Sequence, residues 1–152
     1  SEAATSLTDI NQVINQTLKL MSHTIGPGVS LATMLSEELP KVYTNAGQLA
    51  QVLMHLVKNA FESLKGYGRV LIKSSLLGEK IQIEVIDSGI GMSQETKRKI
   101  FEPFYTTKDV GTGVGLGLSI SLNIINQLGG NLKVESVVGK GTTVTVCLTS
   151  DL

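Results

Sequence analysis

A short segment, Asp87 to Met92 (sequence DSGIGM), places an acidic side chain and two glycines directly after a predicted strand. In that strand, Lys80 to Ile86, apolar and polar residues alternate, and successive side chains on a strand point to opposite faces. If the strand reaches Asp87, the carboxylate shares the apolar face, where it is costly unless a partner donates hydrogen bonds to it. Gly89 and Gly91 let a ligand approach the backbone closely. We therefore predict that Asp87 lies on a pocket floor, although the segment alone also fits an ordinary Asp-Ser-Gly turn.

Asn59 lies in the middle of a predicted helix, Gly47 to Ser63, where asparagine is unfavourable unless its amide has a task. His55 and Glu62 lie about one turn away on either side, so the three share a stripe that borders the apolar face. An oxygen-bearing side chain there suits a Mg²⁺ ion that keeps several waters and takes phosphate oxygens as its other ligands. The alternative is a solvated helix face that happens to include an asparagine.

A second glycine-rich loop, Gly111 to Leu118 (GTGVGLGL), leads directly into a predicted helix. Free backbone N–H groups at a helix N-terminus bind anions, so the loop predicts a phosphate site, with a flexible linker as the alternative. A P-loop is excluded, because the only Gly-Lys pair, Gly139-Lys140, is followed by glycine and lacks the earlier glycine. A dinucleotide fingerprint is excluded because these glycines alternate strictly and occur late in the chain.

Two further side chains have types that suit a ligand site. Thr142 shares strand parity with Val144 and Val146, so its hydroxyl is expected to point inward and to need a partner. Lys108 follows two threonines in an irregular stretch and could close over phosphates. The alternative for Lys108 is a solvated loop lysine.

The composition of the chain excludes several classes of function. With 152 residues, 41% of them hydrophobic, the chain is long enough for one globular domain with a sizeable core. Its formal net charge of zero argues against nucleic acid or an anionic membrane surface as a partner. No apolar run approaches the roughly 20 residues of a membrane span, and no signal peptide is recognised. Cys147 is the only cysteine, which excludes an internal disulfide and a thiolate zinc site, so we expect a reducing, cytoplasmic location.

Hydrophobic periodicity predicts the elements that must position these residues. A first helix is expected after a cap at Thr8 or Asp9, with an apolar stripe that ends at Met21. Further helices are predicted over residues 47–63, 94–100 and 116–128, and strands over 29–35, 69–77, 80–86, 131–136 and 142–148. A polar connection is expected over 37–45 and an irregular stretch over 104–114. Because helices lie between groups of strands, we predict an α+β sandwich with one sheet and helices on one face.

Four segments, in this order, resemble the ATP-binding catalytic domain of two-component sensor histidine kinases, a superfamily shared with gyrase, a heat-shock chaperone and mismatch-repair ATPases. They are similar to the asparagine box (residues 55–60), first glycine box (87–92), phenylalanine box (101–108) and second glycine box (111–120). The strings FEPFYTTK and GLGLSI are most similar to nitrogen-regulation-type kinases. The resemblance spans Leu7 to Leu148. It implies one ATP-binding domain over residues 1–152, a two-layer sandwich with a mixed, mostly antiparallel sheet of about five strands and three main helices on one face.

The resemblance also implies a role for each site residue, with ATP and Mg²⁺ as cofactors. Asp87 is expected to accept the adenine amino group, Asn59 to ligate Mg²⁺, and Thr142 to support the adenine through water. Gly89 and Gly91 would shape the adenine end. The phosphates would be held, under an ATP lid over roughly residues 105–114, by Gly113, Gly115 and Gly117 with the amides of Leu116 and Leu118.

The chain departs from the family pattern at two positions. Hydrolases of the superfamily carry a general-base glutamate four residues before the metal asparagine, where this chain has His55, so phosphoryl transfer is favoured over fast hydrolysis. Many relatives carry a phosphate-contacting lysine where this chain has Glu62, and we assign that contact to Lys108. His23 is rejected as phosphoacceptor, because no helical hairpin surrounds it.

The resemblance therefore implies a kinase domain that donates the γ-phosphate of Mg·ATP to a histidine on a separate dimerisation hairpin. That hairpin is expected to belong to the same parent kinase, with a response regulator as an indirect partner and this fragment monomeric. The chain is expected to lack the sensor and dimerisation domains, and the parent could be membrane-anchored. Two alternatives remain: a non-catalytic nucleotide-sensing module, and a serine kinase of the anti-sigma type on the same fold.

Overall fold

A five-stranded mixed sheet forms one layer of the fold in the computed structural model, which describes residues 5–103 and 117–150. In chain order its strands are β2 (Val29–Leu35), β4 (Gly68–Leu77), β5 (Lys80–Asp87), β6 (Asn131–Val137) and β7 (Gly141–Thr149). The order across the sheet is β2-β4-β5-β7-β6. β2 runs parallel to β4, and the other neighbours are antiparallel. β5 therefore lies in the centre, with β7 beside it.

Helices on one face of this sheet form the second layer. They are α1 (Ile10–Met21), α2 (Ala46–Ser63) and α4 (Ser119–Gln127), with a short α3 (Gln94–Lys99) and a 3₁₀ turn (Ser22–Thr24) as additional elements. α2 packs on β5 and lies between α1 and α4, while α4 also contacts β6. The apolar stripes predicted for α1 and α2 are buried in a single core with the inward side chains of β4 and β5. The predicted two-layer α/β sandwich is confirmed.

Polar caps begin three of the helices. The Asp9 carboxylate accepts the Gln12 N–H at 3.1 Å, and the Asn45 side chain accepts the Gln48 N–H at 2.9 Å. Ser93 caps α3 in the same way. Each cap satisfies a backbone donor that has no partner within its helix. Of the two caps predicted for the first helix, Asp9 is the one used.

Most predicted boundaries are confirmed to within two residues, with two corrections. The first is a small separate sheet of β1 (Ser6–Thr8) and β3 (Val42–Thr44), where a helix start and a polar connection were predicted. Strands of three residues are too short to show periodicity, and the pairing joins segments distant in sequence. The second is α4, which begins at Ser119 rather than Leu116 and ends at Gln127, followed by the predicted Gly129-Gly130 stop.

A membrane-spanning helix, long and apolar enough to cross a bilayer, is not found among the described residues.

Candidate functional site

A cleft that is partly open to solvent lies between α2 and the ends of β5 and β7. Of the predicted site residues that the structure describes, it collects Asn59, Glu62, Asp87, Gly91, Leu118 and Thr142. Seven apolar side chains also line it: Leu56, Ala60, Val85, Ile90, Met92, Ile100 and Val144.

Asp87 ends β5 on the face that it shares with Ile81, Ile83 and Val85, and its side chain is buried. The Gly89 N–H donates to its Oδ1 at 2.8 Å. Burial raises the pKa of Asp87 above its ordinary value, because desolvation disfavours the charged form and the hydrogen bonds from Gly89, Ser63 and Thr142 offset only part of this. The predicted inward position is confirmed. The carboxyl group at the cleft floor can accept a further donor.

The two glycines after Asp87 are required by close packing. A Cβ on Gly89 would lie 2.6 Å from the backbone oxygen of Ser63 at the end of α2. Gly91 has φ +70°, and a Cβ there would overlap the backbone of Val137 at the end of β6. The segment 87–92 is therefore pressed between α2 and the β6–β7 hairpin, which shapes one wall of the cleft.

The Thr142 hydroxyl belongs to a small polar network centred on Ser136. Ser136 Oγ accepts the Met92 N–H at 2.8 Å and donates to the Gly141 carbonyl at 3.0 Å. Thr142 Oγ1 lies 2.8 Å from the same oxygen, so Thr142 has the polar partner that its inward position requires. The sequence reasoning missed Ser136, although its strand parity with Leu132 and Val134 is a signal that could have found it.

The helix stripe predicted to hold a metal ligand borders the cleft, and all three of its residues are half-buried. Asn59 and Glu62 line the cleft directly. His55 lies behind Asn59: its Nε2 is 3.3 Å from Asn59 Nδ2 and 3.0 Å from the Gly117 carbonyl oxygen. Lys65, which the sequence reasoning did not select, also lines the cleft.

The second glycine box is described only at its end. Lys108, Gly113, Gly115 and Leu116 lie outside the described residues, so their predicted contacts with phosphates remain predictions. The Leu118 side chain lines the cleft, but its N–H donates to the Ile100 carbonyl at 2.6 Å. In this structure the Ile100 carbonyl therefore engages the Leu118 amide, and the predicted contact of that amide with a phosphate stays a prediction.

The comparison with known proteins agrees with this geometry. The family model for histidine kinase-, DNA gyrase B- and HSP90-like ATPases matches residues 44–152. The sensor histidine kinase ZraS of Escherichia coli (strain K12) is 36% identical over 141 residues, which are 92% of this chain. The chain spans only 30% of the length of that relative.

Solved structures of histidine kinases share the fold. The nucleotide-free catalytic domain of the kinase ThkA superposes with a TM-score of 0.85 at 30% identity, covering 96% of this chain and 95% of ThkA's domain. Another structure holds ThkA in complex with the response regulator protein TrrA; its TM-score is 0.82 at 28% identity, and 97% of this chain and 42% of that chain are covered. Full-length ShkA in complex with AMPPNP has a TM-score of 0.84 at 27% identity, covering 99% of this chain and 32% of ShkA.

The nitrogen-regulation type stays a prediction. The coarser assignment is secure, because the matched family, the shared sheet and the buried acid at the cleft floor agree. The chain belongs to the family of histidine kinase-, DNA gyrase B- and HSP90-like ATPases, as the ATP-binding domain of a sensor histidine kinase.

Proposed function

We propose that this domain binds Mg·ATP in the cleft and donates the γ-phosphate to a histidine on a separate dimerisation hairpin. The observation that carries the proposal is Asp87, an incompletely compensated buried carboxyl group on the cleft floor. The adenine amino group is a donor that such an acceptor would bind. The apolar side chains of Ile90, Met92 and Val144 offer a surface for the purine ring.

Asn59 is the proposed ligand of Mg²⁺. The described residues contain no group of three or more His, Cys, Asp or Glu side chains that could hold a metal ion by themselves. A single amide oxygen on the cleft wall suits Mg²⁺, which takes phosphate oxygens and waters as its remaining ligands. When bound, the ion would neutralise charge on the phosphates. Asn59 therefore fits the ion expected for this family.

The phosphate end of the site is proposed from the second glycine box and Lys108. Gly113, Gly115 and Gly117, with the Leu116 amide, would offer N–H groups to the phosphates, and Lys108 would add a positive charge. The Leu118 amide joins this set only if it leaves the Ile100 carbonyl. Thr142 would support the adenine at the other end of the cleft.

Transfer to another acceptor is favoured over hydrolysis. The residue one helical turn before Asn59 is His55, and its Nε2 contacts Gly117 and Asn59 rather than lining the cleft. A carboxylate that could activate water is therefore absent from that position. The acceptor imidazole, by contrast, is itself a nucleophile and needs positioning more than activation.

The acceptor is expected on another domain of the same parent kinase. His23 lies exposed in the 3₁₀ turn Ser22–Thr24, not in a helical hairpin, so we do not propose it as phosphoacceptor. A response regulator is the proposed downstream partner, and the ThkA structure with TrrA supports this for a related kinase. A cytoplasmic location and a monomeric fragment remain expectations.

The test is phosphotransfer in trans from γ-labelled ATP to the purified dimerisation hairpin of the parent kinase. We expect acid-labile label on the hairpin, as phosphohistidine requires. Asn59→Ala should retain nucleotide binding but transfer about tenfold more slowly or worse, because the metal loses its protein ligand.

Two outcomes would overturn the assignment in different ways. Tight ATP binding without transfer to the hairpin would identify a nucleotide-sensing module. Acid-stable label on a serine would identify a serine kinase of the anti-sigma type.

A further inference from the structure

We infer that His55 is a positioning residue that couples the amide of Asn59 to the peptide unit between Gly117 and Leu118. The inference rests on the proposed function, because it takes Asn59 as the metal ligand. One imidazole nitrogen of His55 would then couple metal binding at Asn59 to phosphate binding at the other side of the cleft.

His55 Nε2 contacts two groups that require opposite hydrogen-bonding roles of it. It lies 3.0 Å from the Gly117 carbonyl oxygen, which can only accept a hydrogen bond. It lies 3.3 Å from Asn59 Nδ2, which can only donate one. A neutral imidazole nitrogen either carries a proton or offers a lone pair. One tautomer of His55 therefore satisfies Gly117 or Asn59, but not both.

The two tautomers define two arrangements. With the proton on Nε2, His55 donates to Gly117, and the Asn59 amide is favoured with its oxygen turned toward the ring, a simple amide flip. With the proton on Nδ1, Nε2 accepts from Asn59 Nδ2. The Asn59 oxygen then points away from His55 and is available to an ion, while Gly117 loses its imidazole donor.

The group that is released is one peptide unit held at both ends. Its carbonyl, from Gly117, contacts His55, and its N–H, from Leu118, donates to the Ile100 carbonyl at 2.6 Å. This N–H is also the one that the family resemblance assigns to a phosphate. Loss of the His55 bond removes one of the two contacts that fix the peptide plane. Metal binding at Asn59 is thereby linked to freeing a backbone amide for phosphate.

The direct test is the tautomer of His55, read from the ¹⁵N chemical shifts of its ring. The probes are the β,γ-imido analogue of ATP with EDTA and the same analogue with Mg²⁺, at a pH where both histidine rings are neutral. His23, exposed in its turn, is the internal reference. We expect the Nε2–H form for the free chain and with EDTA, and the Nδ1–H form with Mg²⁺. The same tautomer in all three states would overturn the inference.

Variants of His55 test the coupling thermodynamically. His55→Leu removes both contacts, so the factor by which Mg²⁺ strengthens analogue binding should fall about three- to tenfold, the equivalent of one neutral hydrogen bond. His55→Gln carries a separate donor and acceptor, so it can serve Gly117 and Asn59 together. Because Mg²⁺ binding then no longer releases Gly117, the enhancement should fall as it does in His55→Leu. His23→Leu should leave the enhancement unchanged. An undiminished enhancement in folded His55→Leu would contradict the coupling.

The outcomes separate the inference from the proposed function. If the wild type binds no analogue, the proposed function fails. If it binds with Mg²⁺ enhancement while His55 keeps one tautomer, only the coupling fails. The ring shifts are measured on the wild type, so the test does not depend on whether His55→Leu folds.

Discussion

At the scale of single residues, Asp87 is the group on which we expect nucleotide recognition to depend. Its strand parity predicts an inward position, and the cost of that position appears in its raised pKa. A buried carboxyl group whose hydrogen bonds from Gly89, Ser63 and Thr142 offset only part of its desolvation is unfavourable without a further donor. The same feature makes it a strong acceptor for a donor on a ligand. Stability of the free domain and affinity are therefore opposed at this position.

Asp87→Asn is expected to abolish ATP binding and to stabilise the free domain. The pKa of Asp87 is higher in the folded state than in the unfolded chain. Below the unfolded pKa the carboxyl group is protonated in both states, so its burial costs no stability through charge. Stability is then lost as the pH rises through the folded pKa, because the folded state must bury a charged carboxylate. The asparagine variant has no such loss and can still accept the Gly89 N–H. Urea unfolding should show similar stabilities at about pH 3 and an advantage for the variant that grows toward pH 7.

Calorimetry with ATP completes this test at neutral pH. Undiminished ATP affinity in the folded variant would show that the adenine does not depend on Asp87 for binding. A stability advantage that shrinks with rising pH would show that burial of the charged carboxylate is not the dominant effect.

At the scale of elements, the segment 87–92 is held in place by backbone hydrogen bonds to neighbouring elements. The Ile90 N–H donates to the Ser63 carbonyl at the end of α2, at 3.2 Å. The Gly139 N–H, from the β6–β7 turn, donates to the Ile90 carbonyl at 2.7 Å. Helix, loop and hairpin are therefore joined through the backbone, independently of side-chain type.

Gly91→Ala is expected to destabilise the domain more than Gly78→Ala. Both glycines have positive φ, +70° and +64°, so an alanine at either costs about 1–2 kcal/mol of backbone strain. At Gly91 the added methyl also meets the Val137 backbone, whereas at Gly78 nothing lies within 4 Å. Overpacking adds about 1–3 kcal/mol. Comparing the free energies of unfolding of the two variants in urea isolates the effect of the contact with Val137. Equal losses of stability in the two variants would refute it.

Element prediction succeeded where local patterns are long. The 18-residue α2 and the eight-residue β5 carry clear periodicities, and both were predicted closely. β1 and β3 were missed because three residues carry no periodic signal. Their pairing depends on the chain returning from β2, which no local pattern records.

At the scale of the whole molecule, strand order assembles the cleft. β5 and β7 are distant in sequence but adjacent in the sheet, so Thr142 pairs with Asp87. α2 lies on β5 and carries Asn59 to the same cleft. Residues from three separate regions of the chain thus line one space.

ATP with Mg²⁺ should stabilise the whole domain against unfolding, because only the folded state contains the cleft. At a free ligand concentration of 100 times Kd the gain is about 2.7 kcal/mol. For a domain of this size, this corresponds to a rise in Tm of roughly 5–10 °C. A thermal melt measures it, with Asp87→Asn as the control that should not shift. A matching shift in that variant would place the nucleotide elsewhere.

The amino-acid sequence by itself determined the types of the longer elements, the inward parity of Asp87 and Thr142, and the glycine boxes that resemble those of the family, because each depends on local spacing. Only the tertiary structure decided which donors and acceptors meet. Ser136 became the partner of Thr142, and the Leu118 N–H was engaged by Ile100. The contacts that set His55 between Asn59 and Gly117 join positions up to 62 residues apart. Hydrogen bonding depends on distance in space, and local spacing does not encode distances between remote segments.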